Sequence, residues 1–160
     1  MGKAKFRNPL YPLQYKPVPV TEYVLVYRKH TKRLIDWNIR AHPNQELIQA
    51  SRITDEYETT NIWEITPTHD PEHPAIFPEE LAAKVITYYS FVDDVVLDPF
   101  AGSGTVGLAA TKLKRRFVLV DKDPRYIDMM RERAKRWLGK EAADVLCINC
   151  PSITVNDMLL

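Results

Sequence analysis

Two short apolar runs, VVLD at residues 95–98 and RFVLV at 116–120, flank a glycine-containing turn and a stretch of small residues. Neither run alternates apolar with polar side chains, so each reads as a strand covered on both faces. The segment between them, PFAGSGTVGLAATKLK, opens as a tight turn and continues as a helix over residues 105–113. This pattern restricts the chain to a β-α-β crossover, and so to parallel strands packed against helices. Asp123 before Pro124 then caps a helix that runs to about Leu138, where Gly139 ends it. Upstream, PEELAAKVITYYS at 78–90 has Pro78 at the first helical position, acids in the first turn and apolar residues at Leu81, Val85, Ile86 and Tyr89. The class is α/β, with a β-α-β-α unit over residues 95–138.

The remaining chain is less regular. NPLYPLQYKPVPV, at residues 8–20, is too rich in proline for a helix or central strand and reads as an extended arm. TEYVLVYRK at 21–29 reads as a strand buried on both faces, with a short helix expected near 45–53. TTNIWEIT at 59–66 and DVLCIN at 144–149 read as further strands. The organisation expected is an arm, strand and candidate DNA-contacting segment over 1–58, an α/β domain over 59–150 and a tail over 151–160. Charge follows these divisions only in part: net +7 over residues 1–40, −10 over 41–100 and +4 over 101–160. Arg28, Lys29, Lys32, Arg33 and Arg40, interleaved with Tyr27 and Trp37, suit contact with nucleic-acid phosphates or equally a solvated face. No apolar stretch approaches a membrane span, and MGKAKFRNPLYP lacks a secretory apolar core, so a cytoplasmic location is expected. Two cysteines, Cys147 and Cys150, form a lone CxxC without a second ligand pair, so no metal is expected.

The turn after VVLD carries the chemistry. Ligands of such units bind at the carboxyl ends of the strands. Gly102 and Gly104 allow the backbone to approach a ligand closely, and the amides at the following helix start point towards it. The turn is neither G-x-G-x-x-G nor a Walker loop. An acid, Asp98, ends its strand, which disfavours a phosphate and favours a cationic or hydroxyl-bearing ligand. A second acid, Asp121, ends the next strand at the spacing of a residue that accepts from ribose hydroxyls. An acid for an ammonium group, glycines beneath a small ligand and an acid for a ribose together suit S-adenosylmethionine better than a dinucleotide. The plainer alternative makes Asp98 and Asp121 helix caps.

HPAIFPEEL, VVLDPFAGSGT and RRFVLVDKDPRYIDMMRERAKRW resemble, in that order, three consecutive motifs of DNA amino-methyltransferases. These enzymes methylate the exocyclic amino group of adenine or cytosine, and many belong to restriction-modification systems. The match is tight from His73 to about Leu138, while TEYVLVYRK and NIWEITP resemble the preceding segments more loosely. The motif order resembles that of the permuted, beta-like class, in which the catalytic motif lies upstream. The resemblance implies a Rossmann-like methyltransferase fold with S-adenosylmethionine as cofactor and DNA as substrate. It assigns His73, Pro74, Phe77 and Pro78 to the methionine side of the cofactor. Asp98, Pro99, Phe100, Gly102, Ser103, Gly104 and Thr105 become the cofactor turn, with Asp121 on the ribose and Lys122 beside the adenine.

The family's chemistry also needs an Asp/Asn/Ser-Pro-Pro-aromatic tetrapeptide, which accepts hydrogen bonds from the target amino group and stacks on the flipped base. This sequence has no good copy of it. Asn8-Pro9-Leu10-Tyr11 keeps the polar head, first proline and aromatic Tyr11 but lacks a preceding strand; NCPS at 149–152 departs further. The family sheet has seven strands, and about five are countable here. The expectation is therefore a partial sheet completed by another chain that carries the catalytic tetrapeptide, or by self-association. The alternatives are a self-contained DNA or RNA methyltransferase using Asn8, Pro9 and Tyr11, and a non-catalytic cofactor- or DNA-binding module.

Overall fold

The computed structural model describes residues 21–29, 37–54, 57–68 and 78–138. The chain divides into two units, 1–42 and 43–160. In the first unit the described residues form no regular structure at 21–29 and one short helix, α1 (Trp37–Ala41). The second unit contains α2 (Gln45–Ala50), α3 (Glu79–Tyr89), β1 (Val95–Asp98), α4 (Thr105–Lys112), β2 (Arg116–Leu119) and α5 (Pro124–Leu138).

β1 and β2 pair in parallel, with Val96 opposite Phe117 and Asp98 opposite Leu119. Backbone bonds beyond the strands prolong the ladder at both ends: Arg116 N–H donates to Asp94 O, and Ala101 N–H to Val120 O, each at 2.9 Å. Both bonds are possible only because α4 returns the chain to the start of the sheet, as the β-α-β reading requires.

One face of this ribbon is covered. Ala82 and Ile86 of α3 meet Ala109 and Ala110 of α4, with Val96 and Phe117 packed against them. Alanines allow α3 and α4 to approach each other closely, but each contributes little. A buried methyl is worth about 0.8 kcal/mol, against roughly 1.5–3 kcal/mol for a full Ile or Leu side chain. Arg115, buried at the start of β2, secures the lower edge by donating to Leu113 O and Ser90 O, both at 2.7 Å, and to Ser90 Oγ at 3.2 Å. Burial lowers its pKa, and the charge of Asp94 acts in the opposite sense.

The other face is open. Val95, Leu97 and Val118 are 53%, 63% and 47% exposed, and Val120 continues the row. The expectation that RFVLV and VVLD are buried on both faces is thus corrected: the pattern holds in the sequence, but the described residues supply helices to one face only. TEYVLVYRK differs further, since residues 21–29 form no strand and join no ladder among the described residues, and Tyr23 and Tyr27 are almost fully exposed. Apolar residues on both sides of a strand register a need for neighbours; they do not supply them.

NIWEIT also forms no strand. Trp63 instead stacks on Tyr88 of α3, with ring centroids 5.8 Å apart, and Lys84 lies over the Trp63 ring. Glu58 joins the same cluster: its N–H donates to Tyr88 Oη at 2.7 Å and its carboxylate accepts from Lys84. That hydrogen bond is the main cause raising the Lys84 pKa above its ordinary value. Aromatic stacking and the ion pair thus hold this segment against α3, in place of the ladder that its β-branched residues suggest.

Helix boundaries follow the expected signals with two differences. α2 stops at Ala50 because Ser51 takes over as its C-cap; Ser51 Oγ donates to Leu47 O and accepts from Val92 N–H, both at 2.6 Å. Pro78 is the N-cap of α3 and not its first helical residue, with an extended ψ of 140°. No helix among the described residues is long and apolar enough to cross a membrane.

Gly107 is where α4 passes closest to β2: a Cβ there would lie 2.7 Å from Leu119 Cδ1. Gly107→Val should therefore displace the Leu119 side chain and crowd Trp137, destabilising the unit by roughly 1–3 kcal/mol in denaturant titration.

Candidate cofactor site

The turn between β1 and α4 is built by one carboxylate. Asp121, just past the end of β2, accepts from Gly102 N–H through Oδ2 at 2.8 Å and from Asp123 N–H through Oδ1 at 2.9 Å. It thus ties the turn after the first strand to the turn after the second. Gly104 N–H closes the loop on Ala101 O at 2.8 Å. The path requires left-handed backbone at Gly102 (φ 50°) and Gly104 (φ 83°), where a side chain is strained. At Gly104 space is short as well, because a Cβ would lie 3.0 Å from Trp137 and 3.1 Å from Met130.

Asp98 closes the strand side of the site. Its Oδ1 accepts from Phe100 N–H at 3.0 Å, and Oδ2 accepts no hydrogen bond among the described residues. Phe100, two residues after this acid, projects into solvent and is 87% exposed. Ser103 is buried, with its Oγ 3.3 Å from Thr105 Oγ1. The Ser103 amide forms no hydrogen bond among the described residues, and the first amides of α4 have no intrahelical acceptor by the geometry of any helix start. The site therefore offers carboxylate acceptors at two strand ends and amide donors between them, with bare backbone at Gly102, while Gly104 is buried against α5.

The sequence-derived residues divide into three groups. Asp98, Pro99, Phe100, Gly102, Ser103, Gly104, Thr105 and Asp121 come together at the carboxyl ends of β1 and β2, followed by exposed Lys122. Pro78 is placed differently: the Glu79–Lys112 ion pair (2.7 Å) holds its end of α3 beside the last turn of α4, whereas the glycine turn feeds the first. His73, Pro74, Phe77, Asn8, Pro9, Tyr11, Cys147 and Cys150 lie outside the described residues. In the basic segment, Arg28 and Lys29 are exposed, and Lys32 and Arg33 also lie outside the described residues.

The residues that sequence reading passed over are on α5. Met130 and Trp137 press on Gly104, and Arg133 donates from Nη1 to Ser103 O at 3.1 Å. Trp137 is expected from sequence only as core. The seven-residue spacing of Met130 and Trp137 was the available signal, since residues two turns apart share a helix face. α5 is anchored at its start by Asp123, whose Oδ1 accepts from Arg125 N–H at 3.0 Å. The Arg125 side chain, and then this backbone bond, hold the Asp123 carboxyl below the usual carboxylate range. The pKa being depressed, the cap's contribution is present above the unfolded carboxyl's pKa of about 3.9 and is lost only as pH falls through the lower folded value.

With the site described, its relatives can be compared. Residues 3–132 match the N6/N4 DNA methylase family. The chain belongs to this family. It is 33% identical to the orphan methyltransferase M.BamHII of Bacillus amyloliquefaciens over 69% of its own length and 44% of that protein's. It is 29% identical to the type II methyltransferase M.HpaI of Haemophilus parainfluenzae, over 84% of its own length and 45% of the relative's. Among solved structures, TTHA0409 of Thermus thermophilus, described as a DNA modification methylase, superposes with a TM-score of 0.51 at 40% identity, covering 61% of this chain and 40% of that one. The chain thus spans less than half the length of these methylase relatives. Its α/β unit, with a small parallel sheet and helices on one face, is part of a Rossmann-like methyltransferase fold.

Asp121→Ala should leave the Gly102 and Asp123 amides without their acceptor, at a cost of roughly 1–3 kcal/mol. Hydrogen exchange should accelerate at those two amides before it does in α3; uniform acceleration would show that the carboxylate has no particular hold on the turn.

Proposed function

We propose that this methylase-family chain is the S-adenosylmethionine-binding part of a DNA amino-methyltransferase acting on adenine or cytosine, with the catalytic Pro-Pro-aromatic motif contributed by another chain. The observation that carries the cofactor reading is the turn joined by Asp121: two carboxylates and a row of amides around bare glycine backbone. Its methyl donor is S-adenosylmethionine, which supplies an electrophilic methyl on a sulfonium centre. Asp98 Oδ2 is the acceptor for the ammonium group of the methionine moiety. Asp121, already receiving two amides, keeps lone pairs on the same oxygens for ribose hydroxyls. The Ser103 amide and the start of α4 face the methionine carboxylate, where the helix dipole favours negative charge. His73, Pro74 and Phe77 complete the methionine side, and Lys122 borders the adenine.

Two observations support a second chain. The sequence lacks a good copy of the tetrapeptide that orients the target amine. The open face of the sheet also presents Val95, Leu97, Val118 and Val120, and covering it would contribute roughly 1.5–3 kcal/mol per fully buried side chain. A flipped base would stack on the partner's aromatic residue, and proximity to the methyl donor would supply much of the rate.

Calorimetric titration with S-adenosylmethionine should show binding by the chain, weakened about tenfold or more in Asp98→Ala, the order expected for loss of a charged hydrogen bond. Unchanged affinity in that variant would refute the role of Asp98. Transfer of labelled methyl to DNA should require a complementary methylase chain carrying the tetrapeptide. Transfer by the chain alone, abolished by Asn8→Ala, would establish the self-contained enzyme in its place.

A further inference from the structure

The cofactor turn is held from behind as well as from the side. Asp121 fixes the peptide joining Ala101 to Gly102 by accepting its N–H, at 2.8 Å. On the far side, Arg133 Nη1 donates to Ser103 O at 3.1 Å and so holds the peptide joining Ser103 to Gly104. A peptide unit is planar, so fixing its carbonyl also fixes the direction of its amide. The Gly104 N–H is accordingly aimed at Ala101 O, 2.8 Å away. Between these two pinned planes lies the Gly102–Ser103 peptide, whose Ser103 N–H forms no hydrogen bond among the described residues.

Burial gives the Arg133 contact its weight. Ser103 is only 2% exposed, so bulk water cannot take over from the guanidinium unless the turn opens. A hydrogen bond from a charged donor is also roughly twice as strong as one between neutral groups. Met130 and Trp137, one turn before and one turn after Arg133 on the same face of α5, close on Gly104 and leave its left-handed backbone little room to relax. The mechanism proposed above uses Asp98 and Asp121 but leaves Arg133 without a task.

We infer that Arg133 is a positioning residue for the cofactor: by holding the Ser103 carbonyl it fixes the Ser103–Gly104 peptide, and with it the path of the turn on which S-adenosylmethionine rests. This rests on the assignment of the turn as the S-adenosylmethionine site. Arg133 does not touch the cofactor, and its effect is to remove the freedom of one peptide plane that the ligand would otherwise have to order.

The test compares wild type, Arg133→Met and Arg133→Lys by calorimetry with S-adenosylmethionine, using the full chain, together with amide NMR of the turn. Arg133→Met keeps most of the side-chain stem but cannot donate, and should bind about tenfold more weakly. Arg133→Lys restores one donor and should recover part of that loss. The Ser103 and Gly104 amide resonances should move in the methionine variant and return partway in the lysine variant. Equal affinity in wild type and Arg133→Met would overturn the role of Arg133. Weaker binding that lysine does not rescue, with the two resonances unmoved, would also overturn it by reducing the contact to general stability. Absence of binding by folded wild type would instead overturn the cofactor reading. Should Arg133→Met fail to fold, Arg133→Lys is compared with Arg131→Lys, whose guanidinium pairs with Asp128 within α5. Only the change at 133 should shift the Gly104 amide and lower affinity; equal effects would overturn the inference.

Discussion

The hydrogen bonds received by the Asp121 carboxylate are the constraint on which the rest of the structure depends. Each strand of the parallel pair ends in a turn that leads to a helix, and parallel pairing alone does not align those turns. One side chain accepting from Gly102 and Asp123 aligns them. The start of α4 and the approach to α5 then sit beside each other, and the amides of the first turn face the same opening as Asp98. A carboxylate suits the task because it accepts several N–H groups at once without donating any.

Around that link the protein is built from small contacts. Among the described residues the buried apolar side chains are mostly alanines, with Ile86 and Met130 the larger exceptions. Such a core gives close helix packing and precise placement, but little apolar surface is removed from water. Glycine serves the same end at Gly104 and Gly107, where α4 and its turn come within reach of Leu119, Met130 and Trp137. The price of this economy is visible on the opposite face, where a row of valines and a leucine has no cover among the described residues.

The two faces of the sheet differ in what packs on them. The helix-covered face determines where the backbone of the cofactor turn lies, through Arg133, Met130 and Trp137 behind it. The open face carries a row of exposed apolar side chains, and covering it would add stability.

Much of the site was legible in the sequence because its signals are local. A glycine between an apolar strand and a small-residue helix states its own backbone requirement, and acids at strand ends are displayed by periodicity alone. The β-α-β-α order, the cap at Asp123 and the grouping of Asp98, Gly102, Gly104 and Asp121 follow from such spacing. The pairing of TEYVLVYRK and NIWEIT did not follow, because a strand pattern records only that a segment tolerates a sheet, while the partner depends on what else is near. Trp63 found Tyr88 and Glu58 found Lys84, contacts 25 and 26 residues away in the chain that no local pattern announces. The same holds for Arg133, which stands 30 residues from the carbonyl it holds. Sequence by itself determined the elements, their order and the chemistry of the turn, since those depend on neighbouring residues. Only the tertiary structure decided which helix braces that turn and which face of the sheet stays open, since both depend on residues brought together from distant parts of the chain.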